Sequence, residues 1–278
     1  MPLESYFGSH ARIHIKDLSL DQPRKNPEGT FDPEEEITED DWQHVKEYLE
    51  KKKKESRDLF YTILCATNMK IVFPERSREY DDAVLKRIVK EEYNLEPNNH
   101  FTFAEIKIIT PELVAGSNPS YEAWERHLGF TKQYIAQGDW ILFVNRMFAL
   151  FVVNPDKASE FSLNKETREK IAQYFKELLE TGQLDTFSFE KLAYASVLFP
   201  DEMSSLRSSP ALLERARAML RELRTANNWG RYIQVAAAFK LLCAEKVEVT
   251  DKGLEITMPQ PKEDFKEPEE PMPEQRKF

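Results

Sequence analysis

The chain has 278 residues, 41% of them hydrophobic and 12% aromatic, which is enough apolar side chain for a substantial core. Its 39 Lys and Arg against 49 Asp and Glu give a net charge of −10. That balance disfavours non-specific nucleic-acid binding and adhesion to an anionic membrane, both of which need a positive surface. Only eight glycines occur, which argues against Gly-rich phosphate loops and suits helices.

From the N-terminus, His10 to Leu20 alternates apolar and polar residues, with Ile13 and Ile15 on one face, and reads as a short strand. Residues 21–37 are rich in acids and carry Pro23, Pro27 and Pro33, a composition that reads as an extended acidic linker. Helices begin at Thr38, a good N-cap followed by three acids that favour the positive end of a helix dipole. Trp42, Val45, Tyr48 and Leu49 then form an apolar stripe, and the Lys51–Lys54 run falls near the C-terminal end. A second helix is expected from about residue 58 to Val72, stopped by Pro74, which lacks an amide hydrogen and restricts its predecessor.

Helices are likewise expected over 82–93, 121–136, 140–153, 165–180, 187–199, 210–225 and 229–245. The His100–Ile109 segment is ambiguous between strand and helix; the repeat register favours a helix. The 140–153 helix is apolar nearly all round, which implies burial between neighbours, and is too short to span a bilayer. Val247 to Thr257 alternates about Asp251-Lys252-Gly253 and reads as a β-hairpin; pairing with the strand near Ile13 and Ile15 would extend it to three strands. Residues 258–278, with repeated prolines and acids, read as a disordered tail.

One phrase recurs through these helices. Phe73-Pro74-Glu75, Thr110-Pro111-Glu112, Asn154-Pro155-Asp156 and Phe199-Pro200-Asp201 each end an apolar helix, and their prolines lie 37, 44 and 45 residues apart. Trp140 lies fifteen residues before Pro155, and Trp229 fifteen before Ala244, where a fifth proline would fall. Spacings of this size indicate stacked helical hairpins. The reading is therefore mainly α: about five hairpin repeats, solenoid-like, over residues 38–257 and ending in the β-hairpin, with an N-terminal strand segment over 1–20.

Candidate chemistry is sparse. His10 and His14 are four apart, but on a strand that spacing separates them by about 13 Å, so no metal site is assigned. His44, His100 and His127 fall in three different units without ligand spacing. Cys65 and Cys243 sit far apart in apolar helical contexts and read as reduced core residues, in keeping with a cytoplasmic protein without a signal peptide. Paired acids such as Asp40-Asp41, Asp81-Asp82 and Glu91-Glu92 read as solvated faces or dipole partners. No catalytic residue and no cofactor is assigned. The best candidate contact is a basic face: Arg217, Arg221 and Arg224 share one side of the 210–225 helix and Arg231 opens the next, suited to an anion or an acidic partner.

Residues 40–257 resemble tetratricopeptide- and HEAT-like helical-repeat proteins in general form, without the tetratricopeptide consensus on its 34-residue period. They look closer to bacterial helical-repeat proteins whose Trp-rich helices end in a phrase like Lys70-Ile71-Val72-Phe73-Pro74-Glu75, a resemblance that brings no assigned activity. Ile13 to Pro23 is similar to the opening strand of the SecB export chaperone over about ten residues, while the helical remainder does not match that fold. The expected function is a non-enzymatic protein-interaction module or scaffold. The alternatives are a helical-fold enzyme with a site assembled from distant residues, or nucleic-acid binding through the 215–231 arginines.

Overall fold

In the computed structural model, residues 37–55, 59–161 and 163–259 are described. They are mainly helical, with one two-stranded antiparallel sheet at the C-terminal end. Five helical hairpins follow one another: α1 (Glu39–Lys54) with α2 (Leu59–Val72), α3 (Ala83–Leu95) with α4 (His100–Ile109), α5 (Tyr121–Gln137) with α6 (Trp140–Val153), α8 (Lys165–Glu180) with α9 (Thr186–Leu198), and α11 (Pro210–Thr225) with α12 (Trp229–Cys243). Short helices α7 (Pro155–Glu160) and α10 (Ser204–Arg207) connect units. The segment that was ambiguous from sequence, 100–109, is helical, with Asn99 as its N-cap. The expected N-terminal strand, and all but one or two residues of the linker and the tail, lie outside the described residues.

The first helix of each hairpin is amphipathic and the second is apolar on nearly every side, and this difference sorts them into two layers. In α1 only Asp41, Trp42, Val45, Leu49 and Lys53 are buried, one stripe of the helix. In α12 every residue from Tyr232 to Cys243 is buried. A helix that is apolar all round needs neighbours on all sides, and the second helices supply them to one another. Helix α2 packs on α4, α4 on α6, α6 on α9, α9 on α12, and α12 returns to α2. The hairpins therefore do not string out as an open array; the inner helices close into a ring and the first and last units are neighbours.

Several contacts make that closure specific. Gly230 opens α12 against α1: a Cβ there would come 2.6 Å from the Tyr48 hydroxyl, so any larger residue would require the Tyr48 side chain to move. His44 stacks on Trp229 with ring centroids 4.6 Å apart. Asp41, 2% exposed, accepts from the Thr38 amide at 2.9 Å and from the Arg224 guanidinium at 2.6 Å. Sequence had placed Asp41 among solvated or dipole-partner acids; it completes the α1 capping box and also bridges the outer helices of the first and last units.

The X-Pro recurrence has one geometry. Phe73, Thr110, Asn154 and Phe199 end their helices with φ/ψ of −132/70°, −132/66°, −151/92° and −133/61°. Each still donates its amide to the carbonyl four residues back, but clash with the proline ring keeps it out of the α region, so the helix cannot continue. A short helical turn follows Pro74, Pro111 and Pro155. Ala244, in the fifth unit, is also extended (−59/137°) and leads into β1 (Lys246–Thr250) and β2 (Gly253–Thr257). The hairpin packs on α4, where Gly253, at φ +102°, sits so close that a Cβ would meet the Lys107 carbonyl oxygen at 2.8 Å.

Cations from neighbouring units meet the carbonyl ends of three inner helices, where the helix dipole favours them. Lys240 of α12 donates to Val72 O at 2.5 Å, Lys107 of α4 to Val153 O at 3.0 Å, and buried Arg207 to Leu242 O and Ala244 O at 2.8 and 2.9 Å. Among the described residues no helix is long and apolar enough to cross a membrane.

Removing the Arg224 partner would leave the Asp41 carboxylate buried without its counter-charge. Arg224→Met is expected to lower the unfolding free energy by about 3 kcal/mol, near the low end for breaking a buried pair because Arg224 is itself partly exposed. Urea unfolding followed by circular dichroism measures this, and a loss below about 0.5 kcal/mol, the scale of an ordinary surface change, would show that the pair does not hold the ring shut.

Candidate functional site

Closing five inner helices into a ring leaves a pit at the centre, a cavity of about 760 Å³ to which α2, α4, α6, α9 and α12 all contribute. This volume lies in the range of small-molecule sites. The mouth is at the N-terminal ends of the inner helices, where Phe60, Tyr61 and Phe187 line it and are 41–54% exposed. Deeper residues such as Tyr194, Phe148 and Ile108 line the same cavity.

Pit-lining side chains follow the proline register. The positions ten and six before the stop are Leu64 and Asn68 in α2, Phe101 and Glu105 in α4, Asn145 and Ala149 in α6, and Glu190 and Tyr194 in α9; all line the cavity, as does Gln234, ten before Ala244, in α12. Residues four apart stack on one helix face, so a shared stop fixes which face of each inner helix looks inward. Polar residues at these two positions interrupt otherwise apolar helices, and that is the signal sequence reading passed over.

The charged centre is on α4 and α9. Glu190 and Lys191, 6% and 4% exposed, pair at 2.8 Å, and the Tyr194 hydroxyl donates to Glu190 Oε1 at 2.7 Å. Lys191 Nζ also lies 4.8 Å from the ring centroids of both Phe187 and Tyr194. Phe148 stacks face to face on Tyr194 at 3.9 Å, fixing the phenol. Burial pushes the Tyr194 hydroxyl well above its ordinary range, with the Glu190 charge adding to it.

Glu105 differs from this satisfied group. It is half-buried on the pit wall, and its side chain makes no hydrogen bond or ion pair among the described residues; the half-buried Asn145 amide on the neighbouring helix α6 is also without a hydrogen bond there. Burial pushes the Glu105 carboxyl up to about 8; the charges of Glu190 and Glu92 add to the rise and Lys191 opposes it. Partial removal from water on the pit wall disfavours the charged form, which moves its titration toward neutral pH. A carboxyl that titrates near pH 8 inside a cavity is chemically suited to donating or accepting a proton.

The sequence-predicted basic face is divided by the fold. Arg217 and Arg221 lie on the outer side of the last unit and reach Glu214 at 3.7 and 3.9 Å. Arg224 turns inward to Asp41 and, at 3.2 Å, to the Tyr232 hydroxyl. Arg231 lines the pit and donates to Gln234 Oε1 at 2.9 Å. Cys65 and Cys243 are both free and buried, and burial holds each thiol up at about 12, far from the thiolate.

A second polar cluster lies between the second and third units. Sequence had separated His100 and His127; the fold brings their rings together, tilted by 32° with centroids 4.3 Å apart. Arg146 approaches His127 Nδ1 at 3.1 Å, which makes that nitrogen the acceptor and places the proton on Nε2. The Nε2 atoms of both rings are buried without a partner. Burial and nearby positive charge push His100 down to about 4; burial, His100 and Arg146 push His127 down to about 3. No group of three or more His, Cys, Asp or Glu able to hold a metal occurs among the described residues.

Two pH dependences follow with opposite sign. Glu105 binds its proton more tightly folded than unfolded, so its stabilising contribution is complete below its ordinary value of 4.5 and is lost as pH rises through about 8. In Glu105→Gln the melting temperature, relative to the native chain, should therefore rise steadily between pH 5 and 9. A constant offset would show that Glu105 titrates normally. The two histidines bind protons more weakly when folded, so they contribute stability above pH 6.5 that is lost as pH falls toward 4. His100→Phe should flatten that acid limb in a melting series from pH 7 to 4, and an unchanged limb would assign it elsewhere.

Comparison with family models, with curated proteins and with solved structures finds no match.

Proposed function

We propose that the chain binds a small organic molecule in its central pit and transfers a proton to or from it through Glu105, the helical-enzyme alternative raised by the sequence. The observation that carries this reading is the unpartnered Glu105 carboxyl, poised near neutral pH inside a ring-lined cavity. Structural carboxylates are ordinarily satisfied, as Glu190 is by Lys191 and Tyr194. Glu105 has no such protein partner and faces the cavity, which leaves its carboxyl open to a ligand. In this reading Glu105 is the general acid or base, Asn145 and Gln234 orient polar atoms of the ligand, and the Glu190–Lys191–Tyr194 group fixes the electrostatics of the opposite wall.

A protein-interaction module is the second reading, and the exposed rings of Phe60, Tyr61 and Phe187 around the mouth favour it. Arg217 and Arg221, on a different face, would be its candidate contacts for an acidic partner. Nucleic-acid binding draws less support, because the four arginines do not form one stripe and Arg224 is taken up by Asp41.

The test is native mass spectrometry and small-molecule profiling of the purified chain beside an Asn145→Trp variant that fills the pit. The native chain should retain one or more small molecules that the filled variant loses. Where such a molecule is turned over, Glu105→Gln should lower the rate by at least about 100-fold, the contribution of a positioned proton donor. Identical profiles for the two proteins would sink the pit reading. Loss of a protein partner on Phe60→Ala and Phe187→Ala, with no small molecule retained, would favour the module.

A further inference from the structure

Resting on the reading of the pit as a ligand site, we infer that its ligand carries an organic ammonium group, received by Glu105 between the aromatic walls of the cavity.

Charge comes first. Six charged side chains line the pit: Glu92, Glu96, Glu105 and Glu190 against Lys191 and Arg231. Glu190 and Lys191 satisfy each other at 2.8 Å. That leaves Glu92, Glu96 and Glu105 against one guanidinium that is already hydrogen-bonded to Gln234; burial raises Glu92 and Glu105, so their charge develops fully only against an incoming cation.

The openings of the inner helices point the other way, since helix N-termini favour anions. Four of the five termini are capped by side chains. Asn99, Asp139, Asp185 and Asn228 accept hydrogen bonds from first-turn amides of α4, α6, α9 and α12, and two of the four caps are themselves carboxylates. An anion entering the mouth would meet capped helices, aromatic rings and excess acid.

The pit also contains a worked precedent for ammonium recognition. Lys191 Nζ is held by one carboxylate at 2.8 Å and by the faces of two rings at 4.8 Å, the arrangement in which carboxylate and π-face attraction reinforce each other. Glu105 supplies a second carboxyl in the same cavity with no cation paired to it, while the Phe101 ring one turn before it already lies 5.3 Å from the Arg146 guanidinium, so the ring faces left to a ligand are those of Phe60, Tyr61 and Phe148. An incoming ammonium would complete the second half of the cavity as Lys191 completes the first.

Proton linkage gives this inference its own signature. The charged groups acting on Glu105 are Glu190, Glu92 and Lys191; Glu96, at the C-cap of α3, and Arg231 of α12 line the same pit, and α2 and α6 contribute no charged residue to the lining. Because burial moves Glu105 up to about 8, an ammonium that favours its ionised form would release a proton on binding at pH 7.

Three probes of one shape separate the possibilities: benzylammonium, benzyl alcohol and benzoate, titrated into the full-length chain by NMR and by calorimetry at pH 7 in phosphate and in MOPS, neither of which carries a primary ammonium. Benzylammonium should bind at least tenfold more tightly than benzyl alcohol, with benzoate weakest. Its apparent enthalpy should differ between the two buffers, because the released proton is taken up by bases of different ionisation heat. Glu105→Gln should reduce the ammonium preference to threefold or less and abolish the buffer difference, while Asn145→Trp should weaken all three probes. If benzyl alcohol or benzoate binds as tightly as the ammonium, and Asn145→Trp blocks it, the pit is a site but the ammonium assignment falls. If benzylammonium binds equally well to both variants, it binds elsewhere and the assignment also falls. If none of the probes binds up to 20 mM (~2 kcal/mol of standard binding free energy), both the assignment and the pit reading fall.

Discussion

Everything distinctive about this molecule depends on the packing of α12 against α2. Inner helices apolar on every side need cover on every side, and in an open row the two terminal ones would each present a bare flank to water. Open repeat arrays meet that problem with polar capping units. Here the ends cover each other, with Gly230 admitting Tyr48 and with Asp41 meeting Arg224 across the seam. Closure converts what would be a concave groove into an enclosed pit.

The pit then follows from register. A proline stop fixes where each inner helix ends, and positions ten and six before the stop face inward in successive units. Four of the nine pit-lining positions in this register are apolar or aromatic and five are polar. Because the inner wall is a ring, polar side chains from distant units converge: Glu105 and Glu190 are 85 positions apart in sequence, yet the charge on one raises the affinity of the other for its proton. Glu190 is satisfied by its neighbour and by Tyr194. Glu105, one unit from the ring's first hairpin, is not. This asymmetry is the physical basis for assigning ligand binding and proton transfer to one carboxyl.

The sequence was most legible where the physics is local. Helix stops at Pro74, Pro111 and Pro155, the N-caps Thr38, Asp139 and Asn228, and the turn at Asp251-Lys252 all rest on interactions within a few residues, and the structure shows each of them. His100–Ile109 was harder, because its β-branched and aromatic residues suit a strand, and burial between α2 and α6 determines its helical state. The basic face was read correctly as a periodicity on α11, but periodicity does not say what lies opposite. Arg224 faces a buried aspartate 183 positions away, and no local rule points to it. His100 and His127 were likewise separated because their partnership is created by hairpin packing.

The sequence by itself determined the helices, their two-layer character and the repeated stop, because propensity, capping and the proline ring act along the chain. Tertiary structure alone decided that five hairpins close into a ring, since closure is a contact between residues near 45 and residues near 230. It alone made a cavity, and it alone separated a satisfied Glu190 from an unsatisfied Glu105. Both residues look alike in sequence, a single acid within an apolar helix. Their difference lies in which side chains the ring sets beside each carboxyl, and hydrogen bonding and desolvation respond to neighbours in space.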